Sequence, residues 1–210
     1  MINQELKKYI EETILPKYEK NDKAHNLEHI NYVIKRSLKF ASTCDNIDYD
    51  MVYTIAAYHD IGHHIDAKNH EKVSSEILMN DTNLKEFFNE EQIKIMTDAV
   101  FDHRASLEYE PRTIYGKIVS SADRNTNIDD ILRRTYQYRI KHNPEYSLDE
   151  IIEESKQHII EKFGLVGYAT KKMYFEDGEY NKFLSDVKTL TENNDLFIKR
   201  YMDVNGINNN

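Results

Sequence analysis

The stretch YHDIGHHIDAKNHEK, residues 58–72, holds four of the chain's nine histidines. Imidazoles gathered so closely serve either as solvated surface or as metal ligands, and the direction in which they point decides between the two. On an amphipathic helix the buried face repeats at i, i+3, i+4 and i+7. In MVYTIAAYHD that series is Val52, Ile55, Ala56 and His59, with Asp60 one turn after Ala56. In TIYGKIVSSAD the stripe Tyr115, Ile118, Val119 and Ala122 is continued by Asp123. Ile93, Met96 and Val100 lead in the same way to His103. His70 is in register with Val73 and Ile77, and His29 precedes Val33 by one turn. A buried unpaired carboxylate is costly, so inward aspartates and histidines on five segments are most simply held by a shared divalent cation. An interior polar network without metal is the competing explanation.

The adjacent pair His59-Asp60 adds a geometric demand. Neighbours on a helix diverge by about 100°, so the pair is expected to meet an ion lying beside the helix, and other helices must complete its shell. Gly62 suits a helix end that opens space there. His29 and Asp123 are the partners available. His25 lies in the loop-like NDKAHN and is read as an outer or phosphate-facing residue, or as surface. Cys44 has no base near it in sequence and reads as a buried small hydrophobe.

Helices must position these groups. The periodicity and breaks predict helical spans at 4–20, 28–42, 49–61, 69–80, 84–103 in two pieces, 113–126, 128–142, 147–163, 167–176 and 179–203. Pro16 is expected to kink or end the first, and Asn127 or Asp129 to cap the span at 128. Ser147 and Glu150 form a possible capping box. Breaks fall at CDNID, Gly62, YEPR, HNPEYS and EDGEY. Glycine and proline are scarce (6 and 3) and charged residues reach 31%, which favours helices over a turn-rich β fold. With no Pro/Ser-rich linker, residues 1–210 are expected to form a single all-α domain. Its motif core would span about 20–130, with C-terminal helices 131–205 packed on it.

A net charge of −9 without a basic stripe argues against stable nucleic-acid binding, yet a bound cation can locally admit phosphate. One cysteine precludes an intramolecular disulfide and suits a reducing compartment. The opening MINQELKKYIEETI lacks a signal-like apolar core, and no run approaches membrane-spanning length. The expectation is a cytoplasmic protein with no membrane partner; its oligomeric state is left open.

The order His29 … His59-Asp60 … Asp123 resembles the H…HD…D signature of the HD superfamily of metal-dependent phosphohydrolases. HNLEHINYVIKRSLKFA is similar to that family's first ligand helix, AAYHDIGHH to its second and KIVSSADR to its last. The resemblance implies an all-helical HD-domain bundle with a C-terminal helical extension, and a divalent cation (Mn, Mg, Fe, Ni or Co) on His29, His59, Asp60 and Asp123. HDIGH is also similar to a stretch of the superfamily's deoxynucleotide triphosphohydrolases, in which two histidines beyond the HD pair face the phosphates. His63 occupies the first of those positions. His70 is the candidate for the second, although its spacing departs from that subgroup. DHRASLEYEPR lacks the glycine- and tyrosine-containing motif of the paired-metal cyclic-dinucleotide branch. His70 and His103 are nonetheless candidates for a second ion.

The expected activity is hydrolysis of a nucleotide or other small phosphate ester by metal-activated water. His63, His70 and His103 are the candidate catalytic residues, the last two as acids for the leaving oxygen. Arg104 and Arg124 are the candidate phosphate contacts. Phosphodiester cleavage by the same superfamily, or a non-catalytic metal-binding regulatory module, is the alternative.

Overall fold

A computed structural model describes residues 2–22, 25–170 and 173–207. Among the described residues the chain is all-α, with ten α-helices and no strand. No helix there is long and apolar enough to cross a membrane. The chain divides into two compact units, Met1–Asp123 and Arg124–Asn210.

In the first unit α1 (Gln4–Tyr9) runs into a π turn (Ile10–Ile14) and a 3-10 turn (Leu15–Lys20) that has Pro16 at its start. The continuous span predicted over 4–20 is therefore subdivided, because proline cannot supply the helical N–H. There follow α2 (Leu27–Ala41), α3 (Tyr49–Tyr58), α4 (His70–Met79), a 3-10 turn (Thr82–Glu86), α5 (Glu90–Phe101) and α6 (Ile114–Ala122). Side chains start them locally. Asn26 accepts from His29 N–H, Asn89 and Gln92 form a capping box, and Thr113 accepts from Gly116 N–H. Helix α3 is the axis: every residue from Met51 to Tyr58 is buried, and it packs on α2, α4, α5 and α6. Tyr18, itself buried, donates its hydroxyl to Ala57 O at 2.8 Å and ties the N-terminal turns to that axis.

The second unit contains α7 (Ile128–His142), α8 (Leu148–Phe163), α9 (Gly178–Glu192) and α10 (Asn194–Asn205). They close on Leu132, Ile159, Phe163, Phe183, Phe197 and Tyr201. The Ser147–Glu150 capping box forms as the sequence predicts, and Asn127 caps α7. Two expectations fail. Residues 168–170 form a turn and 173–177 are non-helical, while Lys171 and Lys172 lie outside the described residues. The chain instead folds back on α8, with Tyr168 N–H on Glu161 O and Ala169 N–H on Lys162 O. At the turn, a Cβ on Gly167 would stand 2.5 Å from Lys162 O, so only glycine fits. The span 179–203 is also two helices, because Asn193 is extended and its side chain caps α10 at Leu196 N–H.

Candidate metal centre

The chemistry gathers at helix ends in the first unit. His29 lies in the first turn of α2 and His70 opens α4; His59 and Asp123 follow the last residues of α3 and α6, and His103 lies just past α5. The helical span expected over 49–61 sets His59-Asp60 inside a helix, where the pair would diverge. The helix instead ends at Tyr58, and the turn beyond it lets Asp60 swing back, so His59 Nε2 is 3.3 Å from Asp60 Oδ2. Gly62 permits that turn. A Cβ there would lie 2.7 Å from Val73 Cγ1 and 2.8 Å from Ser74 N, so α4 can approach only a glycine.

Two trios of donor atoms result, each within 4.8 Å: His29, His59 and Asp123, and Asp60, His70 and His103. Asp60 joins them. Its Oδ2 lies 3.6 Å from His29 Nε2, while its Oδ1 lies 3.2 Å from His70 Nε2 and 3.4 Å from His103 Nε2. Asp123 Oδ1 stands 3.2 Å from His29 Nε2 and 3.9 Å from His59 Nε2.

Three of the imidazoles are aimed by one local device. The Nδ1 of His59 is 2.8 Å from Ala56 O, that of His70 3.0 Å from Ala67 O, and that of His103 2.6 Å from Val100 O. A carbonyl can only accept, so each Nδ1 carries a proton and each ring turns its Nε2 to the centre, where a cation can take the nitrogen's lone pair. This is the arrangement of metal-ligating histidines. The fit lies in what Nε2 meets: among the described residues His29 Nε2, His59 Nε2 and Asp60 Oδ1 are buried and find no partner in hydrogen-bonding geometry, only the charged neighbours 3.2–3.6 Å away. Buried polar atoms are nearly always satisfied. A divalent cation with nitrogen and carboxylate ligands suits these atoms.

The electrostatics without metal agree. Burial opposes charge on His29, but Asp123 and then Asp60 outweigh it and raise the imidazole to about 9. Burial likewise works against the Asp60 and Asp123 carboxylates. The histidines prevail, and both are held well below the usual carboxylate range. His70 is lowered to about 4 by burial and by neighbouring His103, whereas Asp60 overcomes burial and raises His103.

Other residues lie at the margin. His63 stacks face to face on His25, centroids 3.7 Å apart, and Asp22 Oδ1 accepts from His25 Nδ1 at 2.8 Å. Asp22, His25 and His63 are near enough to chelate. Stacked rings, however, send their in-plane lone pairs side by side rather than to one point, which suits a carboxylate holding two imidazoles better. Arg104 is engaged on Lys68 O and Glu71 Oε2, both at 3.0 Å, beside His70. Arg124 follows Asp123 directly and is buried. Cys44 is half-buried, more exposed than its sequence reading.

Sequence reasoning passed over several supports. Asn21 donates to His25 O at 3.1 Å and Asp60 O at 3.0 Å and accepts from His64 N–H, so one amide clasps both ligand-bearing turns. Asp102, fully buried beside His103, receives the Arg112 fork at 2.9 and 2.8 Å and Tyr109 Oη at 3.0 Å, closing the loop after α5. Neither has a signal in periodicity, since both sit in loops or act through backbone atoms.

Residues 26–128 match the family model of the HD domain. The chain carries an HD domain. That family groups metal-dependent hydrolases, and the His/Asp clusters here could hold such a metal. The fold is similar to the crystal structure of a predicted HD superfamily hydrolase from an uncultured Thermotogales bacterium. The two share 17% identity, with 95% of this chain and 91% of that one covered and a TM-score of 0.50. At that identity the likeness speaks to fold alone. No curated protein matches the chain. The HD-domain match begins after Asp22 and His25, so that pair lies outside the matched residues.

Proposed function

We propose that this HD-domain protein is a metal-dependent phosphohydrolase acting on a nucleotide or other small phosphate ester. The observation that carries the reading is that, among the described residues, the buried donor atoms His29 Nε2, His59 Nε2 and Asp60 Oδ1 make no hydrogen bond. His29, His59, Asp60 and Asp123 would hold the ion. A divalent cation there supplies charge neutralisation at phosphorus and a water acidified toward neutral pH. The chain's own groups do the rest. Asp60 and Asp123 orient the attacking water through their carboxylate oxygens. His103, which Asp60 raises, is the group placed to deliver a proton to the leaving oxygen, with His70, the other candidate acid but lowered to about 4, at 3.2 Å between their Nε2 atoms. His63 faces the phosphate from the rim, and Arg104, on leaving Glu71, offers a guanidinium fork to a phosphate oxygen. Arg124 is the second such candidate.

A second reading rests on Asp60, whose two oxygens face different trios. A carboxylate so placed can bridge two ions, with His70 and His103 as ligands rather than acids. In either case the net charge of −9 disfavours a polyanion, which has no basic track to follow.

The test is metal analysis of purified protein, followed by phosphate or pyrophosphate release across a mononucleotide panel with manganese or cobalt. Chelator-sensitive turnover of mononucleotides, with oligonucleotides poor, is expected. Efficient cleavage of single-stranded RNA or cyclic dinucleotides with mononucleotides untouched would shift the assignment to a phosphodiesterase. Bound metal without turnover on any phosphate ester would favour a regulatory module.

A further inference from the structure

Helix α2 contributes more to the centre than His29. Seven residues on, and so two turns along the same face, it carries Arg36, which is 5% exposed. Its Nε donates to Ala122 O at 3.2 Å and its Nη2 lies 3.5 Å from Ser121 O. Its guanidinium lies over the rings of Tyr32 and Phe40, at 5.1 and 5.5 Å from their centroids. These carbonyls belong to the last turn of α6, where no further helical N–H arrives to satisfy them and the helix dipole is negative. A buried cation is tolerated where such acceptors meet it. The next residue is Asp123, whose Oδ1 stands 3.2 Å from His29 Nε2. One helix thus carries both a candidate ligand and the clamp that fixes the carboxylate opposite it.

We propose that Arg36 is a positioning residue for the metal centre, locking the C-terminal turn of α6 to α2 so that Asp123 meets the ion beside His29. This rests on Asp123 being a ligand. The planar fork matters: a lysine keeps the charge but offers a single point where arginine presents several donors.

Cobalt(II) binding, followed by its visible absorption, tests this in wild type, Arg36→Met, Arg36→Lys, Asp123→Ala and the Arg36→Met/Asp123→Ala double variant, with far-UV circular dichroism as the check on folding. Arg36→Met should weaken cobalt affinity by about 10- to 100-fold, the usual cost of losing an outer-shell support, and alter the absorption bands. Arg36→Lys should fall between it and wild type. The double variant should bind like Asp123→Ala alone, because the clamp has nothing left to aim. Independent, multiplying losses in the double variant, or wild-type affinity and bands in Arg36→Met, would overturn the proposal. Should Arg36→Met fail to fold, Arg36→Lys decides: weaker binding with altered bands supports the clamp, and wild-type bands refute it. Wild-type affinity in Asp123→Ala sinks the ligand reading itself, a result distinct from either.

Discussion

Loading the centre with a cation should expel a proton from His29. Without metal, Asp123 and Asp60 raise that imidazole to about 9 against the pull of burial, so at neutral pH its Nε2 is occupied by hydrogen. A cation can use the nitrogen only after displacing that proton. Over the roughly two pH units between pH 7 and 9 the displacement costs about 2.7 kcal/mol, or about 100-fold in apparent affinity. Affinity for manganese or cobalt should therefore climb about tenfold per pH unit and level off near pH 9. A histidine at its ordinary value of 6.5 would have levelled off far earlier. Calorimetric titrations at about pH 7.5, in buffers of differing ionisation heat, should report close to one proton released through this residue. Asp123→Asn, which removes the leading attraction, should move the break toward neutrality. An affinity that changes by less than about threefold from pH 7 to 9, with no buffer-dependent heat, would refute the placement of His29 in the ion's shell.

The same titration acts on folding. His29 has its value raised in the folded state, so its stabilisation is complete below 6.5 and is lost as pH rises through about 9. The unfolding free energy from urea titrations in chelator should drop between those limits by up to about 3 kcal/mol, and an unchanged value counts against the ion pair. Asp60→Ala, which removes the carboxylate that joins the two trios, should leave no metal by elemental analysis, whereas a full equivalent retained would reject its central place. His103→Gln should lower metal content from two equivalents to one if two ions bind; under a single ion it should slow turnover at constant metal. Gly62→Ala forces a Cβ to 2.8 Å from the Ser74 backbone and should cost about 1–3 kcal/mol. A calorimetric melting temperature equal to wild type would show that the contact yields.

Much of this was legible because helices advertise their buried face. Helix α7 runs from Ile128 to His142 as its periodicity says, and Ser147 and Glu150 spell the start of α8. The polar residues of the centre were visible for the same reason, each lying at the end of an apolar stripe. What periodicity cannot register is where a helix stops. The spans expected over 49–61 and 113–126 keep His59 and Asp123 inside a helix near its end, yet both lie just past a last turn, and there the pair His59-Asp60 escapes the helical divergence. The region after Gly164 misled because Tyr, Ala and Thr read equally well as helix or as a turn folded back on α8. Arg36 and Asp102 were illegible for a third reason. Their partners are carbonyls and a loop arginine far along or outside any repeat, and a linear pattern carries no trace of them.

The bond from each imidazole to the carbonyl three residues earlier settles orientation within a single turn of chain. Distant packing then sets only where each ring stands. A small slip of one helix against another shifts the ring bodily and leaves its bearing intact, so the error reaches an ion as a change of length, which longer or shorter coordination can absorb. The unit is consequently portable. A histidine three residues after a free carbonyl at a helix end could be set into an unrelated bundle with its aim already determined, leaving spacing as the one quantity to design.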